Sequence, residues 1–279
     1  YYGMRAEDNP DLGGYLEGNV PDRKPAANVP VYTQEPDFLK SDVDTVTARI
    51  KFKIKPDLRL TNATRYGVSD NAYVATGARA STTGAANPGG IYNTATLSTH
   101  QGWQEVDYFA NQTNLFWDTV LAGKKHEFIA SLEYTNHDVL NGVYGVTNSG
   151  QNCITGSGAT LNAWCVSDAA GNPVDGLNTI MNRQITKGAW DQDWLIKTTA
   201  LSLMDTVDLT DTITAFAGVR RDHYDYNLKT LWNHDGDSGA GATANVLGDF
   251  KASDAIVNGH LGLTWKFRPD ANVYATYST

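Results

Sequence analysis

Nothing in this sequence approaches the roughly 18 consecutive apolar residues that a membrane-crossing helix requires. The 3.6-residue repeat of apolar positions is scarce as well, so helices are not the building elements. Positive charge is in short supply: 22 Lys and Arg against 31 Asp and Glu leave a net charge of −9. That argues against a nucleic-acid partner, because proteins that bind phosphates present a basic face to them. Cysteine is nearly missing. Cys153 and Cys165 lie close together in a polar, Gly-rich stretch. No CxxC or neighbouring His pair supplies the further ligands that zinc needs. The spacing therefore points to a local Cys153–Cys165 disulfide and an oxidising compartment such as a periplasm or cell exterior.

Catalytic patterns are missing too. "WNHDGDSG" at 232–239 starts like a calcium loop but lacks the terminal Glu at the required spacing. "GSG" at 156–158 has no flanking strand and helix, so it is neither a nucleophile elbow nor a phosphate loop. The His residues are scattered, and no Ser/His/Asp or paired-carboxylate constellation can be argued. No metal site and no enzyme is expected.

What is present is strand. With 41% hydrophobic residues the chain is too apolar for disorder, and Gly, Asn, Thr and Tyr favour strands and turns. Alternation with a period of two recurs in runs longer than the usual five or so residues. Val46, Ala48, Ile50, Phe52 and Ile54 share one face, while Thr45, Thr47, Arg49, Lys51 and Lys53 share the other. Similar runs span 58–76, 104–119, 126–140, 191–207, 212–226, 252–267 and 273–279. In 199–226, Leu201, Leu203, Val207, Ile213, Ala215, Ala217 and Val219 take one face. Thr214, Phe216, Gly218, Arg220 and Asp222 take the other.

The connections alternate in length. Those at 55–57, 120–125, 208–211 and 268–272 are short, and those at 77–103, 141–190 and 227–251 are long. Long strands with one apolar and one polar face, short turns at one end and long loops at the other describe the wall of a transmembrane β-barrel. The fold class read from this is all-β, an antiparallel meander of about eight to nine strands, each long enough to cross a bilayer. Phe52, Tyr66, Trp117, Tyr134, Trp194, Trp265 and Phe267 sit where interfacial girdles would lie. A soluble β-sandwich is the bland alternative, but such long structureless loops are uncommon in compact domains. Tyr1 in place of Met, and the final "NVYATYST", which reads as a strand cut in mid-course, lead us to expect truncation at both ends.

Several segments, in order, carry a family resemblance: "DFLKSDVDTVTARIKFKIKPDLRLTNATRYG" at 37–67, "YFANQTNLFWDT" at 108–119, "DTVDLTDTITAFAGVRRDHYDY" at 205–226 and "GLTWKFRPDANVYATYST" at 262–279. Together they resemble the barrel of TonB-dependent siderophore receptors, the ferric-catecholate branch in particular. The resemblance implies the outer membrane of a Gram-negative bacterium, with periplasmic turns, extracellular loops and a barrel of about 22 strands around an N-terminal plug. It implies a ferric siderophore as transported ligand, no cofactor, contact with outer-membrane lipid, and the TonB complex as partner through the N-terminal region. The sequence departs from the family in extent, with the plug, the TonB-contacting box and the last strands expected to be missing, so that 1–279 is a segment of the barrel domain. A plug-less porin or substrate-specific channel would share the strand pattern, and upstream sequence would tell them apart. A soluble secreted β-protein would instead need clustered carboxylates.

A ferric tris-catecholate is an aromatic anion, so its site calls for aromatic surfaces and positive charge without nearby carboxylates. Loop 227–251 is rich in Asp, and loop 141–190 balances its charges. Loop 77–103 has Arg79 as its one permanent charge. Arg79, Tyr92 and Trp103 are the expected ligand contacts, with Tyr144 and Trp190 behind them.

Overall fold

The computed structural model describes residues 1–11, 16–17, 21–22, 24–25, 31–79, 94–150, 163–165, 170, 172, 174–231 and 248–279. All regular structure there is strand: β1 (Tyr2–Asp8), β2 (Leu16–Glu17), β3 (Lys24–Pro25), β4 (Phe38–Lys55), β5 (Leu58–Arg79), β6 (Thr94–Leu121), β7 (Lys124–Asn148), β8 (Ala163–Cys165), β9 (Arg183–Asp208), β10 (Ile213–Thr230), β11 (Gly248–Arg268) and β12 (Ala271–Ser278). One ten-stranded sheet runs in the order β1-β4-β5-β6-β7-β9-β10-β11-β12, with β8 pairing the start of β6. Every pairing is antiparallel. A separate two-stranded piece pairs β2 with β3.

Turn chemistry sets one end of this meander. Pro56–Asp57 and Pro269–Asp270 each make a two-residue turn, with Lys55 paired to Leu58 and Arg268 to Ala271. In both, proline fixes φ where no ladder donor is needed, and the register shifts just before the turn. Between β6 and β7, Ala122 (φ 50°) and Gly123 (φ 74°) both take the left-handed conformation. That is the two-residue hairpin loop whose twist matches the strands, and glycine adopts it at no steric cost. Between β9 and β10, Thr210 Oγ1 accepts from the amides of Thr212 (3.2 Å) and Ile213 (2.9 Å).

The registers settle the faces. Leu132 stands opposite Leu201, and Leu201 opposite Arg221. Phe52 pairs with Leu60, Leu60 with Leu115, Leu115 with Ala130 and Ala130 with Leu203. Leu132 and Leu201 are 50% and 58% exposed, as a wall facing hydrocarbon would be. On the opposite face Arg220 reaches across to Glu133 at 2.9 Å. The alternation read from the sequence therefore holds, with β4 through β12 as the partial wall of a barrel.

Three expectations need correction. Strands extend well past the apolar runs, so 94–103, 141–148, 183–190, 227–230 and 248–251 are strand rather than loop. Backbone pairing continues above the apolar band, where side chains no longer alternate in hydrophobicity and leave no period to read. β1 went unseen for the same reason: "YGMRAED" has no apolar alternation and is almost wholly exposed. Trp194 does not join an outward girdle. Its parity puts it on the face of His137, with the ring centroids 5.2 Å apart.

Candidate ligand-binding site

The end of the sheet bearing the long connections is held by one arginine. Arg183, the first residue of β9, has all five of its N–H groups engaged. Nη1 donates to Asp37 Oδ1 and to Thr76 Oγ1 (2.9 Å), and Nη2 to Thr99 Oγ1 (2.9 Å) and Met181 Sδ (3.2 Å). Nε donates to Asn148 Oδ1 (3.2 Å). Asp37 Oδ2 accepts from Thr76 Oγ1 (2.6 Å) and the Gln34 amide (3.0 Å). Gln34 Nε2 donates to the carbonyls of Tyr32 (2.8 Å) and Leu177 (2.9 Å), and its Oε1 accepts from the Met181 amide (3.0 Å). Segments 31–37 and 177–183 are thus tied to each other and to β5, β6 and β7. Beneath them Tyr32, Ala95, Leu97, Trp164 and Met181 form a small core. Burial there pushes the Tyr32 phenol above its ordinary pKa.

The expected contacts fall around this clamp unevenly. Trp103 lies within β6, on the same parity as Leu115, and only 7% of it is exposed. It covers Gly142 of β7, where an added Cβ would sit 2.3 Å from the ring, so only glycine fits beneath it. Lys187 Nζ stands 4.2 Å from the Trp103 ring centroid and donates to Glu105 Oε1 at 2.6 Å. The indole Nε1 is buried without a hydrogen-bond partner. Tyr144 packs edge-on against Phe38 at 5.5 Å and pairs in register with Lys187, while Trp190 pairs with Gly142. Trp103, Tyr144 and Trp190 are therefore neighbours on the upper strands. Arg79 is the last residue of β5, opposite Thr96. Tyr92 and Cys153 lie outside the described residues. Cys165 ends β8, is buried, and is not a free thiol.

The sequence missed an aromatic shelf on the inward face. Tyr108 of β6 is paired with His137 of β7 at 5.5 Å, edge-on, and His137 with Trp194 of β9 at 5.2 Å. Tyr226 of β10 stands in the same ladder, opposite Ile196, which itself faces His137. These rings offer flat apolar surface toward the interior, on the face opposite to Thr76 and Thr99 of the clamp and well down the strands from them. The signal available in sequence was their parity, shared with Arg220 and Glu133. The arginine clamp had no such signal, because its members are far apart in the chain. Among the described residues no group of His, Cys, Asp or Glu could hold a metal ion.

Known proteins place this architecture. Residues 1–279 match the model of a family described as TonB dependent receptor-like, beta-barrel. In structure the chain is similar to the ferric-catecholate import receptor Fiu from E. coli K12 in its closed form, with TM-score 0.74 and 20% identity, covering 99% of this chain and 39% of that one. It is similar to the siderophore receptor PiuA from Acinetobacter baumannii, with TM-score 0.72 and 20% identity, covering 99% and 38%. A weaker likeness is to BauA, the ferric preacinetobactin receptor of the same organism, with TM-score 0.55 and 14% identity over 86% and 30%. The chain thus spans about two fifths of the length of Fiu and of PiuA.

Proposed function

Because the chain belongs to the TonB-dependent receptor-like β-barrel family of the Gram-negative outer membrane, we propose that it forms part of a receptor that binds a ferric siderophore, of catecholate type, and imports it with energy transduced by TonB. The observation that carries this reading is the match of every residue to the family model, in a sheet whose one face suits lipid and whose other is polar. The likeness to Fiu and PiuA supports the cargo class, and the Tyr108–His137–Trp194 shelf supports an aromatic ligand in the interior.

Within that reading Arg79 and Tyr92 act as ligand contacts. Trp103, Tyr144 and Trp190 share the outward parity, with Trp103 under Lys187 and Tyr144 against Phe38, and support the upper strands. The Cys153–Cys165 bond would brace the connection between β7 and β9. TonB and the siderophore are the partners, and no cofactor or catalytic step is involved.

The test is made on the full-length receptor. Ferric catecholate and ferric hydroxamate siderophores are titrated against purified protein, and uptake of labelled iron is followed in cells with and without TonB. Saturable binding of the catecholate together with TonB-dependent uptake is the expected result. Binding of neither complex, or uptake that persists without TonB, overturns the reading.

A further inference from the structure

The inward face of β4 and β5 carries charge of one sign. Arg49, Lys51 and Lys53 occupy alternate positions on β4 and face Ala63, Thr61 and Arg59 of β5. Arg65 lies further up β5, its Nε donating to Thr47 Oγ1 at 2.9 Å. Arg59 stands opposite Phe116 of β6, with its guanidinium carbon 5.4 Å from the ring centroid. Among the described residues Asp118 is the one carboxylate paired with any of these five cations, 3.2 Å from Arg59.

Like charges directly opposite each other, as Lys53 and Arg59 are, destabilise a sheet. The same face shows how an inward cation is otherwise treated, since Arg220 is neutralised twice, by Asp222 at 2.8 Å and Glu133 at 2.9 Å. Nor is the stripe a by-product of basic composition, because the whole chain carries a net charge of −9. At roughly 3.3 Å per residue it runs about 20 Å along the strands and ends at the Pro56–Asp57 turn. Beside its lower part lies an open groove of about 430 Å³ bordered by Lys51, Phe52, Lys53, Arg59, Leu60, Thr61 and Phe116.

We propose that this groove is a transfer station for the anionic cargo in transit, at the short-turn end of the interior. The proposal rests on the siderophore reading above. Three doubly deprotonated catechols around one ferric ion leave a negative complex with flat aromatic faces. The groove meets it with lysine and arginine charge beside a phenyl ring. Lysine ammoniums are point charges on flexible stems, so they attract an anion without fixing its orientation. That suits release into the periplasm better than capture from outside.

The test compares the full-length receptor with Lys51→Gln/Lys53→Gln and with Lys51→Arg/Lys53→Arg. Three readouts are taken: ferric-catecholate affinity of purified protein, melting temperature, and energised uptake in cells. Unchanged affinity and melting temperature, uptake lowered about ten-fold in the Gln variant, and recovery in the Arg variant are expected. Unchanged uptake in the Gln variant overturns the proposal and leaves the receptor reading intact. A lowered melting temperature with increased protease sensitivity overturns it in another way, by assigning the stripe to docking an acidic protein surface. Absence of ferric-catecholate binding by the unsubstituted receptor removes the reading on which the proposal rests.

Discussion

Arg183 and Asp37, 146 positions apart in the sequence, form an ion pair in which both side chains are completely buried. Such a pair is a poor source of net stability compared with apolar packing, but removing one partner strands the other charge. Arg183→Met should therefore cost about 3–5 kcal/mol locally, whereas Arg183→Met with Asp37→Leu should recover most of it. Limited proteolysis and thermal melting of the detergent-purified full-length receptor would read this out. Equal losses in the single and double variants would show that the pair does not clamp segments 31–37 and 177–183.

The two faces predict opposite labelling. Cysteine in place of Leu132, Leu201 or Leu263 should react with a lipid-soluble maleimide in intact membranes. Cysteine in place of Glu133 or Lys266 should react with a water-soluble one. The basis is the ladder that pairs Leu132 with Leu201, and the ion pair that puts Glu133 with Arg220 on the other side. A charge placed on the outward face near the bilayer midplane would cost about 2–4 kcal/mol, so the register has little freedom. Reversed reactivity at any pair of neighbours would expose a bulge between them.

These faces were legible because burial in lipid imposes a strict period of two. Leu201 through Val219 could be assigned from the sequence alone, and the short turns announced themselves through Pro56, Gly123 and Pro269. Above the apolar band that constraint lapses. Trp103 read as a loop residue because Glu105 and Gln101 beside it share no hydrophobic alternation, yet its backbone stays paired with Gly142. The clamp was illegible for a different reason. Gln34, Asp37, Thr76 and Arg183 are ordinary polar residues whose importance comes from contacts across the whole sheet. The basic stripe lay in plain view as Arg49, Lys51 and Lys53, but only the pairing with Arg59 and Phe116 turns it into a groove.

A disulfide between Cys153 and Cys165 is the third prediction. Peptide mapping of receptor from outer membranes, alkylated without reductant, should recover the two cysteines in one linked pair. Closing so short a loop should contribute about 2–4 kcal/mol by restricting the unfolded chain, with native strain subtracting from it. Recovery of both as alkylated thiols would refute the bond.

The last prediction concerns a polar island on the outward face. Asn62 and Thr64 of β5 and Asn111 and Thr113 of β6 share the parity of Leu60 and Leu115, where hydrocarbon should penalise them. They satisfy one another instead. Asn62 Nδ2 donates to Asn111 Oδ1 (3.2 Å) and Thr113 Oγ1 (2.8 Å), and Asn111 Nδ2 donates to Asn62 Oδ1 (3.3 Å) and Thr64 Oγ1 (2.6 Å). Thr64 Oγ1 donates to Asn62 Oδ1 (3.1 Å) and Thr113 Oγ1 to Asn111 Oδ1 (3.5 Å). Each donor and acceptor has a partner within the quartet, which makes the island tolerable without water. Slipping β5 against β6 would orphan all of them, so the quartet fixes register where apolar contacts alone would not. Asn62→Leu should cost about 1–3 kcal/mol for each group left unsatisfied. Replacing all four with Leu and Val should be near neutral. Urea unfolding of the reconstituted receptor, arranged as a mutant cycle, measures the coupling. If the single losses simply add up to the fourfold loss, the four residues act independently and the register must be fixed elsewhere.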